Sequence, residues 1–199
     1  MNKKLASKIL DCTFALLIAV PGTLLAQEKP GDMPASQSPA ASANPITQSE
    51  KGLYGFISGT VVAAAQKMPE ENYSFKPTPE VRSFGQIVGH VADAQYMFCS
   101  QAIGDTMAPK DIEKTKTSKA DLIAALKDGV AYCMKAYGSM TDAKGAEMTK
   151  IMNFQMARIA IFSLNTAHTD EHYGNLVTYM RLKGLVPPTS ENQTAPPAK

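Results

Sequence analysis

Four stretches of the chain carry apolar residues at helical spacing. From about Thr47 to Met68, the residues Tyr54, Ile57, Val61, Ala64 and Met68 return to one stripe, and Pro69 ends the segment. Gly52, Gly55 and Gly59 interrupt it, each costing roughly 1 kcal/mol against Ala in a helix interior, so packing must hold this helix. A second stretch opens at Ser83, where Ser83 and Gln86 have the spacing of a capping box. Its apolar face is Phe84, Ile87, Val88, Val91, Ala94 and Phe98, and it stops at Gly104 and Asp105. The third begins near Ser118, runs through Leu122, Leu126, Val130, Cys133 and Tyr137, and ends at Gly138. The fourth and longest spans about Phe154 to Lys183, with Gly184 as a left-handed stop and Pro187 and Pro188 barring continuation.

No segment alternates as a strand bounded by turn residues, so the pattern predicts an all-α fold, a four-helix bundle. The connection from Gly104 to Thr117 is long for a bundle, which allows a crossover that sets helix three parallel to helix two. The bundle is expected over residues 47–188. Residues 27–46, rich in Pro, Ala, Ser and Gln, read as a disordered linker, and 189–199 as a disordered tail.

Composition changes this picture mainly at the N-terminus. Lys3, Lys4 and Lys8 precede an apolar run from Thr13 to Val20, then Pro21-Gly22 and a small residue at Ala26, the layout of a cleaved signal peptide over 1–26. The run falls short of the ~20 residues that span a bilayer, so no stable membrane span is expected after cleavage, and the protein is expected to be exported, to a periplasm or outside the cell. Removing the leader takes three Lys and one Asp from 20 basic and 18 acidic residues and leaves 17 of each. Nothing in a mature chain of zero formal charge looks like a basic nucleic-acid surface, and no nucleic-acid partner is expected.

The chain has three histidines. His168 and His172 lie four apart on the fourth helix and stack on one face, which Ile161, Leu164, Leu176 and Tyr179 turn inward. His90 flanks the apolar face of helix two, where a bundle can bring it opposite the pair. Two buried imidazoles without partners are costly, and an ion shared with a third satisfies one nitrogen of each. Three neutral imidazoles leave a divalent ion a position for water or substrate. Spacing alone leaves a hydrogen-bonded core role open for the same residues. Asp93, Asp170 and Glu171 are nearby acidic candidates for a base, or plain solvated charges; Asn165 and Asn175 flank the pair.

Two runs carry a family resemblance. Tyr73-Ser-Phe-Lys-Pro-Thr-Pro-Glu-Val-Arg82-Ser-Phe-Gly, followed by Gly89-His90-Val-Ala-Asp93, resembles the DinB-like family. So does His168-Thr-Asp-Glu-His172-Tyr-Gly-Asn-Leu-Val-Thr-Tyr-Met-Arg181-Leu-Lys-Gly184, followed by Leu-Val-Pro-Pro. The resemblance implies a four-helix bundle holding one divalent metal through His90, His168 and His172, and sometimes a homodimer. Zinc is the first expectation for such a ligand set, with nickel or iron as alternatives. Related enzymes include transferases and isomerases that use low-molecular-weight thiols, but export would separate this chain from a cytosolic thiol pool. The expected roles are therefore a metal-dependent hydrolase or thiol transferase acting on a small molecule, or a non-catalytic metal-binding or stress-related module.

The remaining signals are structural. Cys99 and Cys133 follow the starts of helices two and three by roughly 24 and 22 Å of helical rise, so a parallel pair permits a disulfide in an oxidising compartment. Tyr73, Phe75, Pro77 and Pro79 describe a stiff loop that packs over one end of the bundle or rims a pocket. Met148, Met152 and Met156 recur every four residues, and core filling is the expected role.

Overall fold

The computed structural model describes residues 43–107 and 110–193; the expected leader and most of the expected linker lie outside the described residues. Four long helices form the bundle: α1 (Pro45–Lys67), α2 (Phe84–Ile103), α4 (Lys119–Ser139) and α6 (Arg158–Leu182), with one-turn helices α3 (Ile112–Thr115) and α5 (Asp142–Gly145) between them.

The expected caps form. Ser83 Oγ accepts the Gln86 N–H at 3.2 Å while Gln86 Oε1 accepts the Ser83 N–H at 2.8 Å, and Ser118 Oγ accepts the Asp121 N–H at 3.1 Å. Gly104 and Gly184 take the left-handed conformation that stops α2 and α6 (φ 78° and 73°). The start of α1 is capped from a distance. Asp142 on α5 accepts the N–H groups of Ile46 and Thr47 at 3.1 and 2.8 Å, giving the glycine-weakened helix a partner that no local residue supplies.

Helix α2 runs parallel to α4: Gly85 approaches Leu122, Gly129 approaches the Ala92 carbonyl, and Cys99 is disulfide-bonded to Cys133 across a Cα–Cα distance of 5.4 Å. It runs antiparallel to α6, with Tyr179 bonded to the Arg82 carbonyl at one end and Arg158 to the Ala102 carbonyl at the other. Helix α1 is antiparallel to α4, where Tyr54 stacks on Tyr137 and Gly55 meets Met134, and parallel to α6. The chain therefore makes the crossover that the 104–117 connection suggested, and α3 lies within that connection.

Three sequence expectations fail. Residues 154–157 do not open the fourth helix. They form strand β2 (Phe154–Ala157), paired antiparallel with β1 (Met148–Ile151), in a hairpin bridging the α4 end of the bundle to α6. The strands are four residues each, and the turn residue Met152 adopts φ 49° in place of the usual glycine, so neither alternation nor turn chemistry exposed them. The hairpin also separates the three methionines, and Met148 and Met152 are exposed rather than core. Finally, Pro188–Gln193 is a 3-10 helix whose Thr189 bonds the Tyr173 hydroxyl, where an unstructured tail was expected from Thr189.

The buried apolar side chains form two clusters. One surrounds Val61, Val88, Leu126 and Leu176, the other Tyr54, Phe98, Tyr137 and Phe162. Between them lies a buried polar layer. Gln95 Oε1 accepts hydrogen bonds from Tyr54 and Asn165, and Gln95 Nε2 donates to Thr169. His90 and His168 lie at this level of the bundle, on the α2–α6 side.

Candidate metal centre

Helix α6 keeps Ile161, Asn165, Thr169, His172, Leu176 and Tyr179 buried. That arc carries His172 into the bundle and leaves His168 partly buried at its edge. Leu164, expected on the same face, lies on its outer shoulder and is 40% exposed. The antiparallel α2 sets His90 opposite. The His168 Nε2 is 3.2 Å from the Nε2 of His90 and 3.2 Å from the Nε2 of His172, and one ligand nitrogen from each ring fits within 4.8 Å. The structure thus brings together all three residues singled out from sequence.

The donor set fits a divalent ion. Two imidazole nitrogens each about 2.05 Å from a tetrahedral ion stand roughly 3.3 Å apart, close to both spacings observed here. In the absence of an ion, the three rings have for their converging nitrogens only the hydrogen bonds they can make to one another in a partly desolvated place. The far side of His90 is fixed: its Nδ1 lies 3.0 Å from Glu113 Oε2. A carboxylate accepts, so Nδ1 carries the proton and Nε2 presents its lone pair. The Nδ1 atoms of His168 and His172 are buried with no hydrogen-bond partner among the described residues.

Burial and neighbouring charges favour the neutral form of the α6 pair. Burial, then the charges of His172, His90 and Arg82, push the His168 pKa down to about 4. Burial and His90 also lower His172, against a smaller opposite pull from Glu171 and Asn175. Neutral imidazole is the form that ligates metal.

Sequence reasoning missed Glu113, which sits 23 residues from His90 in the crossover and belongs to no motif. A short relay places it. The Asp93 carboxylate accepts the backbone N–H groups of Ile112 and Glu113, both at 2.9 Å, and so caps α3. Glu113 then reaches back to His90 with one oxygen and accepts from Arg82 Nε at 2.8 Å with the other. Gly89 makes room, since a Cβ there would lie 2.8 Å from the Glu113 Cα. Both Asp93 oxygens thus accept from α3, and the residue also borders the second cleft with His90 and His168. Asp170 lines a groove with Glu50 and Leu53 on the α1 side. Asn165 belongs to the buried polar layer. Glu171 and Asn175 do line a cleft beside His172.

That cleft has a volume of about 730 Å³ and lies between the start of α2, the second half of α6 and the loop 76–82. The aromatic loop both packs and rims: Tyr73 is buried with its hydroxyl on the Ala65 carbonyl at 2.6 Å, while Lys76 and Pro79 to Arg82 line the cleft. A second cleft, of about 400 Å³, meets His90 and His168 from the other side and is lined by Tyr96, Met97 and Met107.

Among curated proteins, none matches the chain. Crystal structures of two DinB-like proteins are among those that share its fold. A DinB-like protein from Bacillus cereus superposes with a TM-score of 0.62 at 16% identity, covering 72% of this chain and 94% of its own. A DinB-like protein from Bacillus subtilis gives 0.58 at 18% identity, covering 68% and 92%. Identities this low establish the architecture alone. The DinB superfamily model matches residues 59–176, which take in His90, His168 and His172. With a match over more than half its length and a bundle to go with it, the chain belongs to the DinB superfamily.

Proposed function

We propose that this chain is an exported metal-binding DinB-like domain in which His90, His168 and His172 hold one divalent ion, zinc first, facing the cleft beside His172. The observation that carries this reading is that His168 Nε2 stands 3.2 Å from the Nε2 atoms of both His90 and His172, with one ligand nitrogen of each ring inside 4.8 Å and Glu113 holding His90 in the ligating tautomer. A divalent ion so held polarises a bound carbonyl or lowers the pKa of a water or thiol it carries.

The protein's own groups suit hydrolysis of a small molecule. The cleft admits one, and among the carboxylates that line it, Glu171, next to His172 in the chain, is the one we assign as proton acceptor. Export favours water over a cytosolic thiol as the nucleophile. Metal analysis of the purified protein tests the core of the proposal. One equivalent of divalent metal is expected, falling below a tenth in His168→Ala while helical content persists. A folded wild-type protein that retains no metal after incubation with zinc, nickel or iron would remove the site. Unit metal content without turnover of ester or amide substrates would leave a binding module in place of a hydrolase.

A further inference from the structure

The cleft beside His172 holds a second recognition element, Arg82. Its guanidinium uses Nε on Glu113 Oε1, and its two terminal amino groups make no hydrogen bond among the described residues. The residue is anchored at both ends. Tyr179 donates to its carbonyl at 2.8 Å, and the Glu113 contact fixes the side chain against the same carboxylate that holds His90. The side chain is 44% exposed, and Arg82 lines the cleft with His172, so the free edge of the fork is open to a ligand there.

Building on the metal reading above, we propose that Arg82 is a substrate-positioning residue and that the cleft takes a small molecule bearing a carboxylate, held between the ion and the Arg82 fork. A planar guanidinium pairs with a carboxylate through two parallel hydrogen bonds, which fixes orientation as well as charge. The protein groups on the wall are mixed in charge: Glu80, Glu113 and Glu171 stand against Lys76 and Arg82, and this slight excess of negative charge penalises a dianion such as phosphate more than a carboxylate.

The test uses the full chain loaded with cobalt(II), whose visible spectrum reports ligand binding without turnover. Acetate, inorganic phosphate and imidazole are titrated into wild type, Arg82→Gln and Arg82→Lys. Acetate affinity is expected to fall at least tenfold in Arg82→Gln and less in Arg82→Lys, with imidazole, a neutral ligand of the same ion, binding all three alike. Equal acetate affinity in cobalt-loaded wild type and Arg82→Gln would overturn the proposal and leave the metal site standing. So would phosphate binding the wild type more tightly than acetate. Failure of the wild type to take up cobalt would overturn both readings at once. If Arg82→Gln does not fold, the Arg82→Lys comparison decides, because charge without the fork is expected to lose part of the acetate affinity and none of the imidazole affinity.

Discussion

At the scale of single residues, the site depends on side chains that do not belong to the histidine set. Glu113 fixes the His90 tautomer, and carboxylates in that position typically account for a 10- to 100-fold effect on metal affinity. Glu113→Gln is therefore expected to weaken metal binding by about 10–100-fold in a chelator competition while leaving the circular dichroism spectrum unchanged. Gly89→Ala should do more. Its methyl would meet backbone, not a flexible side chain, so α3 must shift and carry Glu113 with it. Overpacking of this kind costs about 1–3 kcal/mol, to be read from urea unfolding, and metal affinity should drop alongside stability. Protonation acts at the same scale. The His168 pKa is about 4 in the folded protein against 6.5 for the free side chain. Between those values the unfolded chain binds more protons, so metal-free protein should be at full strength on this account above pH 6.5 and weaken as the pH falls towards 4. Unfolding midpoints measured across that window test the sign; a midpoint that rises on acidification would contradict it.

At the scale of elements, the weak helix is α1, and its support comes from elsewhere. The Asp142 carboxylate caps it from α5, with Thr47 Oγ1 adding a third hydrogen bond at 2.9 Å. Asp142→Ala is expected to lower the midpoint of thermal or urea unfolding, because the first turn of α1 loses its cap. The disulfide does the corresponding work between α2 and α4. It closes a loop with a sequence separation of 34 that contains the crossover and α3. Replacing both cysteines by Ala should cost about 2–4 kcal/mol, chiefly by freeing the unfolded chain. The Cys99–Cys133 bridge is fully buried, so mild reductant should not reach it in the native state, and thiol labelling should require denaturant.

At the scale of the whole molecule, the parallel α2–α4 pair and the antiparallel α2–α6 pair place the metal candidates beside a polar layer between two apolar clusters. An ion binding only the folded arrangement should raise stability by about 2.7 kcal/mol at a hundredfold excess over its dissociation constant. Zinc should therefore raise the melting temperature at pH 7, less so at pH 5 where protons compete, and His172→Ala should abolish the shift. No helix among the described residues is long and apolar enough to cross a membrane.

Much of this was legible in the amino-acid order because it rests on local physics. Ser83 with Gln86, Ser118, Gly104 and Gly184 mark helix ends through hydrogen bonds and backbone conformations available within a few residues. The four-residue spacing of His168 and His172 places both on one helical face whatever surrounds them. Only the tertiary structure decided the rest. The hairpin at Met148–Ala157 exists because two four-residue strands find each other, with too few alternating positions to announce either. Nothing along the chain shows that α3 donates to both Asp93 oxygens, and Glu113 reads as nothing until the crossover folds back over Gly89. Those contacts join residues 19 to 24 positions apart through a turn whose path is set by packing, so no periodicity or motif along the chain could carry them.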